Sequence, residues 1–280
     1  MEESCTSLVQ QKDVARRLRD GPTLLELLSR SSLDQDLESN GVDGLVDGLA
    51  SWVASNNFKV SLLGLDALAI LVERLQEHFK PHLVTVLPCL VDRLGDTKEQ
   101  VRNASQGLLI KIMDVVSQPR VVWERLQGGF KHRNFHTREG LCVCLDSTIN
   151  RFGAQCLSLN KLVPHLCNLL GDANSQVRDA AMVTLTEVYR HIGERVRADL
   201  TRKGLPQARL AAVLARFDEV LHSGHMIAGE GELNGHVLRV SEGILVWWLL
   251  CSDGSRGSIK ALLLISFNDH FCVIGRLDHE

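Results

Sequence analysis

Along residues 81–94, PHLVTVLPCLVDRL, apolar side chains fall at Leu83, Val84, Leu87, Leu90, Val91 and Leu94, the spacing of one face of an α-helix. Gly95 reads as a helix stop. Thr97 with Gln100 reads as a capping box that opens a second helix, whose Val101, Leu108, Leu109 and Ile112 turn inward. This helix–turn–helix pattern returns downstream. At a fixed offset of 76, Pro88, Leu90, Leu94, Gly95, Asp96, Gln100, Val101, Arg102, Ala104 and Leu109 meet identical residues, from Pro164 to Leu185. These are ten identities in 22 ungapped positions. Between the two copies lies FKHRNFHTREGLCVCL (130–145), with Arg138 placed 36 residues after Arg102 and 40 before Arg178. The offset is therefore two repeats of roughly 38 residues, a period near the HEAT and armadillo range of paired-helix solenoids.

Extending the pattern outward predicts six helix pairs, near 3–30, 42–78, 81–116, 119–152, 158–192 and 194–222. The fold class is an all-α solenoid of about six HEAT-like helix pairs over residues 1–222. The first pair is the least regular and ends in SRSSLDQDLESNG, as expected of a terminal repeat that caps a stack. From Gly224 the character changes: eight glycines fall in 57 residues, with no proline and no echo of the repeat. Residues 223–280 could form a small β-like cap, a collapsed appendage or a tail foreign to the repeat design; the expectation is an irregular, poorly ordered Gly-rich tail. Its run ILVWWLLC (244–251) is far short of the ~20 residues that span a bilayer, and if exposed would be aggregation-prone.

Charge changes the picture only locally. The formal net charge of −3 divides into 27 basic and 27 acidic residues up to Ser223, and 4 basic against 7 acidic beyond it. No bulk electrostatic case for nucleic acid exists. The eight cysteines form no CxxC pair, and residues 1–20 lack the apolar core of a signal peptide. Buried free thiols in a soluble, intracellular chain are the expectation.

Catalytic signatures are missing: there is no P-loop, GxGxxG, HExxH or nucleophile elbow. Cys142 and Cys144 stand two apart in a predicted helix, pointing about 200° from each other, which argues against a shared metal. Neither enzyme activity nor a cofactor is expected. A solenoid without catalytic residues works as a surface, and the turns inside its helix pairs line up along one edge. Four such turns, numbered in chain order, are SNNFKVS (55–61), GDTKEQVR (95–102), KHRNFHTRE (131–139) and GDANSQVR (171–178). They gather Lys59, Lys98, Arg102, Lys131, Arg133, Arg138 and Arg178 against fewer acids, which suits an acidic protein partner. Arg102 and Arg178 also read as structural, paired with Asp96, Asp172 or acids of neighbouring repeats. Phe58 is either an exposed anchor or a staple for the helix it begins, and Trp52 reads as core.

The stretches KHRNFHTREG, LLGDANSQVRDAA, YRHIGERVRADL and KGLPQARL closely resemble the amino-terminal TOG domain of the CLIP-associating proteins, the CLASP family, from about Val9 to Val220. The resemblance implies six HEAT-like repeats in a flat paddle, with intra-repeat turns forming the face that TOG domains present to the αβ-tubulin dimer. It implies a microtubule-associated, cytoplasmic protein of growing plus ends, spindle, kinetochore and cell cortex, favouring rescue and pausing. Tubulin-binding TOG domains usually offer a tryptophan followed by a basic residue in the first turn; Phe58 and Lys59 stand there, and Trp52 is six residues too early. The later turns match through Lys98 and Arg102, Lys131, Asn134 and Arg138, and Asn174 and Arg178, with Arg133 beside them. Weak or supplementary tubulin binding is therefore expected, with an adaptor that docks a non-tubulin protein as the rival reading. Beyond RFDEVLHSG the family continues into a Ser/Arg-rich linker and further domains, so the divergent tail leads to the expectation of a truncated product.

Overall fold

The computed structural model describes residues 5–30, 42–202 and 204–227, together with the strand backbone of 237–240, 244–252, 259–267 and 270–278. Twelve α-helices, counted among these residues, follow the predicted pairs. They are α1 (Cys5–Val9) with α2 (Val14–Ser29), α3 (Val42–Val53) with α4 (Phe58–Leu75), and α5 (Leu83–Arg93) with α6 (Glu99–Val115). Then come α7 (Pro119–Leu126) with α8 (Phe135–Phe152), α9 (Leu159–Leu169) with α10 (Ser175–Ile192), and α11 (Glu194–Arg202) with α12 (Gln207–His222). Second helices stack in one layer, α2 on α4, α4 on α6, α6 on α8, α8 on α10 and α10 on α12; first helices form the other. One continuous core runs between the layers, from Leu8 to Phe217.

The ends of the helices follow local chemistry. Asp13, Asn57, Asn134 and Asn174 are N-caps whose side-chain oxygens accept backbone N–H groups of the first turn. Gly193 ends α10 at φ +61°, with its N–H donating to the Tyr189 carbonyl, a conformation that a side chain would strain.

Large residues fasten the layers. Trp52 is fully buried and its Nε1 donates to the Val9 carbonyl at 3.0 Å, which ties the first pair to the second. It is core, as its place in the helix predicts. Trp123 donates to Thr148 Oγ1 at 3.2 Å. Cys142 and Cys144 are both wholly buried in the core, and burial pushes each thiol up to about 12.

Residues 237–278, read from the sequence as part of an irregular tail, contain four strands. Val237–Val240 (β1), Ile244–Ser252 (β2), Ile259–Phe267 (β3) and His270–Asp278 (β4) form an antiparallel sheet in the order β1-β2-β3-β4. β2 and β3 are the two apolar runs, with Trp247 opposite Leu264 and Trp248 opposite Leu263. Their β-branched and aromatic content, separated in sequence by SDGSRG-type residues, is what favours pairing over coil.

Candidate functional site: the turn edge

The four turns share one internal construction. Ser55 Oγ, Asp96 Oδ1, His132 Nδ1 and Asp172 Oδ1 each accept the backbone N–H two residues on, at 3.2, 2.8, 3.2 and 2.9 Å. The residue receiving that help is the N-cap of the second helix: Asn57, Lys98, Asn134 or Asn174. Thr97 is not the cap of α6; Asp96 holds the Lys98 N–H instead, because the repeat puts its acceptor two residues before the cap.

An arginine then folds back over each of the last three turns. Arg102 Nη1 donates to the Asp96 and Thr97 carbonyls at 2.8 and 3.2 Å. Arg138 does the same to His132 and Arg133 at 2.7 and 3.2 Å, and Arg178 to Asp172 and Ala173, both at 2.9 Å. In the first turn the equivalent residue is Ser61, whose hydroxyl donates to Val53 O at 2.8 Å. These arginines satisfy carbonyls that the helix cannot, which is a building task.

Neighbouring turns interlock by different means. Arg138 pairs with Asp172 of the next turn, Nε to Oδ2 at 2.7 Å and Nη2 to Oδ1 at 2.9 Å. The Arg138 hydrogen bond holds the Asp172 carboxyl below the usual carboxylate range. The expected pairing of turn arginines with aspartates is thus met between turns by one rung, Arg138 to Asp172. Arg102 and Arg178 touch the backbone of their own turns, since the Asp96 carboxylate is taken by Arg93 at 3.0 Å and that of Asp172 by Arg138. Between the second and third turns Asn134 Nδ2 donates to the Gly95 carbonyl at 2.7 Å. His132, standing where the second and fourth turns carry aspartate, lies 3.3 Å from Asp92 Oδ1 through Nε2. With Nδ1 accepting from Asn134, this network places the proton on Nε2. A Cβ on Gly95 would meet Thr137 Oγ1 at 2.3 Å and Asn134 Nδ2 at 2.6 Å. Close approach of the third turn requires glycine there; the helix does stop just before it, with Leu94 as the C-cap, but without a left-handed glycine.

What remains outward is a smaller set. Lys59, Lys98, Lys131 and Arg133 are exposed and form no ion pair among the described residues. Lys98 Nζ sits 5.4 Å from the centroid of the half-buried Phe58 ring, which also packs against the core. Phe58 is therefore both staple and partly presented surface. A groove of about 440 Å³ opens across the first three turns, lined by Phe58, Arg93, Asp96, Lys98, His132 and Arg133. The structure so divides the sequence-derived candidates. Asn134, Asn174, Arg102, Arg138 and Arg178 are engaged in caps, carbonyl contacts and the rung; Phe58, Lys59, Lys98, Lys131 and Arg133 face outward. His132 and the packing role of Gly95 were missed by sequence reasoning, although the alignment of the turns puts His132 in register with Asp96 and Asp172.

A HEAT-like α-solenoid with an edge of aligned cationic turns is the architecture of TOG domains. Residues 35–211 match the CLASP N terminal family, and the chain belongs to that family. It is 57% identical over 229 residues to CLIP-associating protein 1 of Xenopus tropicalis, covering 81% of this chain and 16% of that protein. Identity to the CLIP-associating protein of Drosophila melanogaster is 37% over 186 residues, 65% of this chain and 12% of that one. The chain thus spans about one sixth or less of the length of these relatives. Among solved structures, the MAST/Orbit N-terminal domain superposes with a TM-score of 0.69 at 33% identity, covering 78% of this chain and 96% of that one. A TOG domain of Crescerin superposes with a TM-score of 0.67 at 24% identity, covering 77% and 91%, a likeness of fold.

Proposed function

We propose that residues 1–222 form a microtubule-associated module that binds tubulin, free or in the lattice, through the turn edge, and that it acts by binding rather than catalysis. Plus-end, spindle and kinetochore microtubules are the sites at which such a module would stabilise polymer. The observation that carries this reading is the set of exposed, carboxylate-free cations at Lys59, Lys98, Lys131 and Arg133. The N-termini of α4, α6, α8 and α10 end at the same turns and add partial positive charge. An acidic protein surface complements such an edge and is steered toward it. Membership of the CLASP family supports tubulin as that surface. Phe58 offers less contact area than an indole, and loss of an interface anchor costs on the order of 1–3 kcal/mol, so affinity is expected to be modest. Co-sedimentation of the chain with soluble tubulin and with polymer at low ionic strength tests the proposal; no association with either form would overturn it.

A further inference from the structure

A second groove, of about 480 Å³, lies between α10 and α12, the second helices of the last two repeats. The two helices touch where Tyr189 stacks on Phe217 at 4.1 Å, and the groove follows the residues N-terminal to that contact. Its floor is apolar: Leu170, Met182, Val183, Ala212 and Val213. Val183 is 60% exposed, and Val143, at the same position one repeat earlier, is 43% exposed. The repeat thus leaves an apolar strip uncovered on its second-helix layer, and α12 buries only Val213 and Phe217 of its own residues.

The walls are oppositely charged. On one side stand Asp179 and Glu187 of α10, with Arg178 beside them and Asp146 of α8 behind; on the other stand Arg209 and Arg216 of α12. The Glu187 carboxylate is already held by Arg190 at 2.7 Å and His191 at 3.3 Å, which leaves Asp179 as the open acid of that wall. Asp179 forms no ion pair among the described residues, and Arg216 pairs only with Glu219 of its own helix, both well exposed. Burial, and then the nearby Glu187, raise the Asp146 carboxyl, which accepts a hydrogen bond from Asn150 at 3.1 Å. Asp179 to Glu187 spans about 12 Å of helix and Arg209 to Arg216 about 10 Å, at ~1.5 Å per residue. That is room for about two helical turns, while a stable dimer interface covers about 800 Å² on each partner.

We propose that this groove is a docking site for an amphipathic helix of another protein, about two turns long at the contact. Its apolar residues at i, i+3 or i+4 and i+7 lie on Val183 and Ala212, a basic residue at its flank faces Asp179, and an acidic flank faces Arg209 and Arg216. The site is separate from the turn edge, so the proposal stands whether or not that edge binds tubulin.

The test is fluorescence anisotropy of the full chain with a labelled synthetic 18-residue helical peptide bearing a leucine stripe, one lysine flank and one glutamate flank. Saturable binding tighter than about 100 µM is expected. Val183→Glu and, separately, Ala212→Arg should weaken it at least about tenfold, since each buries a charge under the helix. Both positions are exposed, so the melting temperature should hold. Arg209→Glu with Arg216→Glu should weaken this peptide and favour one whose glutamate flank is replaced by lysine. Absence of saturable binding overturns the proposal, as does binding indifferent to Val183→Glu and Ala212→Arg. Concentration-dependent self-association abolished by Val183→Glu would make a second copy the occupant and equally overturn it.

Discussion

Arg138 and Asp172 form a two-point ion pair between the third and fourth turns, while the other terminal nitrogen of Arg138 fastens its own turn at His132 and Arg133. One guanidinium therefore sets both the shape of a turn and its distance from the next. The pair is largely withdrawn from solvent, with side-chain exposures of 16% and 9%. Asp172→Ala leaves Arg138 without its carboxylate and should cost about 2–3 kcal/mol in urea denaturation.

Acid sensitivity follows from the same pair. The folded-state pKa of Asp172 lies below its unfolded value, owing first to the Arg138 hydrogen bond. Its contribution is present in full above the ordinary carboxylate range and is lost as pH falls through the lowered value. Stability of the wild-type chain should drop more steeply over that acid range than stability of Asp172→Asn, measured by thermal melts at successive pH values.

Two glycines should respond oppositely to alanine. At Gly95 the added Cβ collides with Thr137 and Asn134 of the neighbouring turn, predicting a loss of about 1–3 kcal/mol. At Gly107, exposed in mid-α6, nothing lies within 4 Å, so alanine should gain about 0.5–1 kcal/mol through helix propensity. Chemical denaturation of both variants checks the contrast.

That contrast shows what the sequence could and could not convey. Gly95 and Gly171 occupy equivalent positions in the repeat, yet only Gly95 has another turn pressed on it: at Gly171 the nearest atom is a backbone oxygen at 3.3 Å. Period, helix pairs and the edge were legible because apolar spacing and the recurring Gly-Asp…Val-Arg are local signals. Which carboxylate takes which arginine was not, since Arg93 reaches Asp96 from within the same repeat, three residues before it, whereas Arg138 reaches Asp172 from a whole repeat earlier. Asn134 and Asn174 looked like interface residues because capping asparagines and exposed asparagines are the same in sequence. The groove between α10 and α12 depends on how far two helices separate, which no residue pattern encodes. The strands of the tail were hidden because their apolar runs lack period-two alternation.

Thiol chemistry offers an independent check on the core. Burial pushes Cys142 and Cys144 up to about 12. At pH 8 iodoacetamide should leave both unmodified in the folded chain and label both in urea, read by peptide mass spectrometry. Rapid labelling without urea would contradict their place between α8 and its neighbours.

On the proposed reading, Phe58 is the aromatic anchor of the edge. Its ring is half-buried beneath Lys98, a cation–π contact of about 0.5–1 kcal/mol at such exposure. Phe58→Trp should tighten tubulin association several-fold and Phe58→Ala should weaken it, in titrations that also report melting temperature.

The central claim is that the outward cations of the turns bind, while the arginines behind them build. Its most direct test is a tubulin titration of the wild-type chain beside the triple reversal Lys98→Glu, Lys131→Glu and Arg133→Glu. The account predicts at least about tenfold weaker association with a melting temperature lowered by no more than loss of the Lys98–Phe58 contact, because none of the three forms an ion pair that the fold needs. Unchanged tubulin binding by the reversed chain would contradict it.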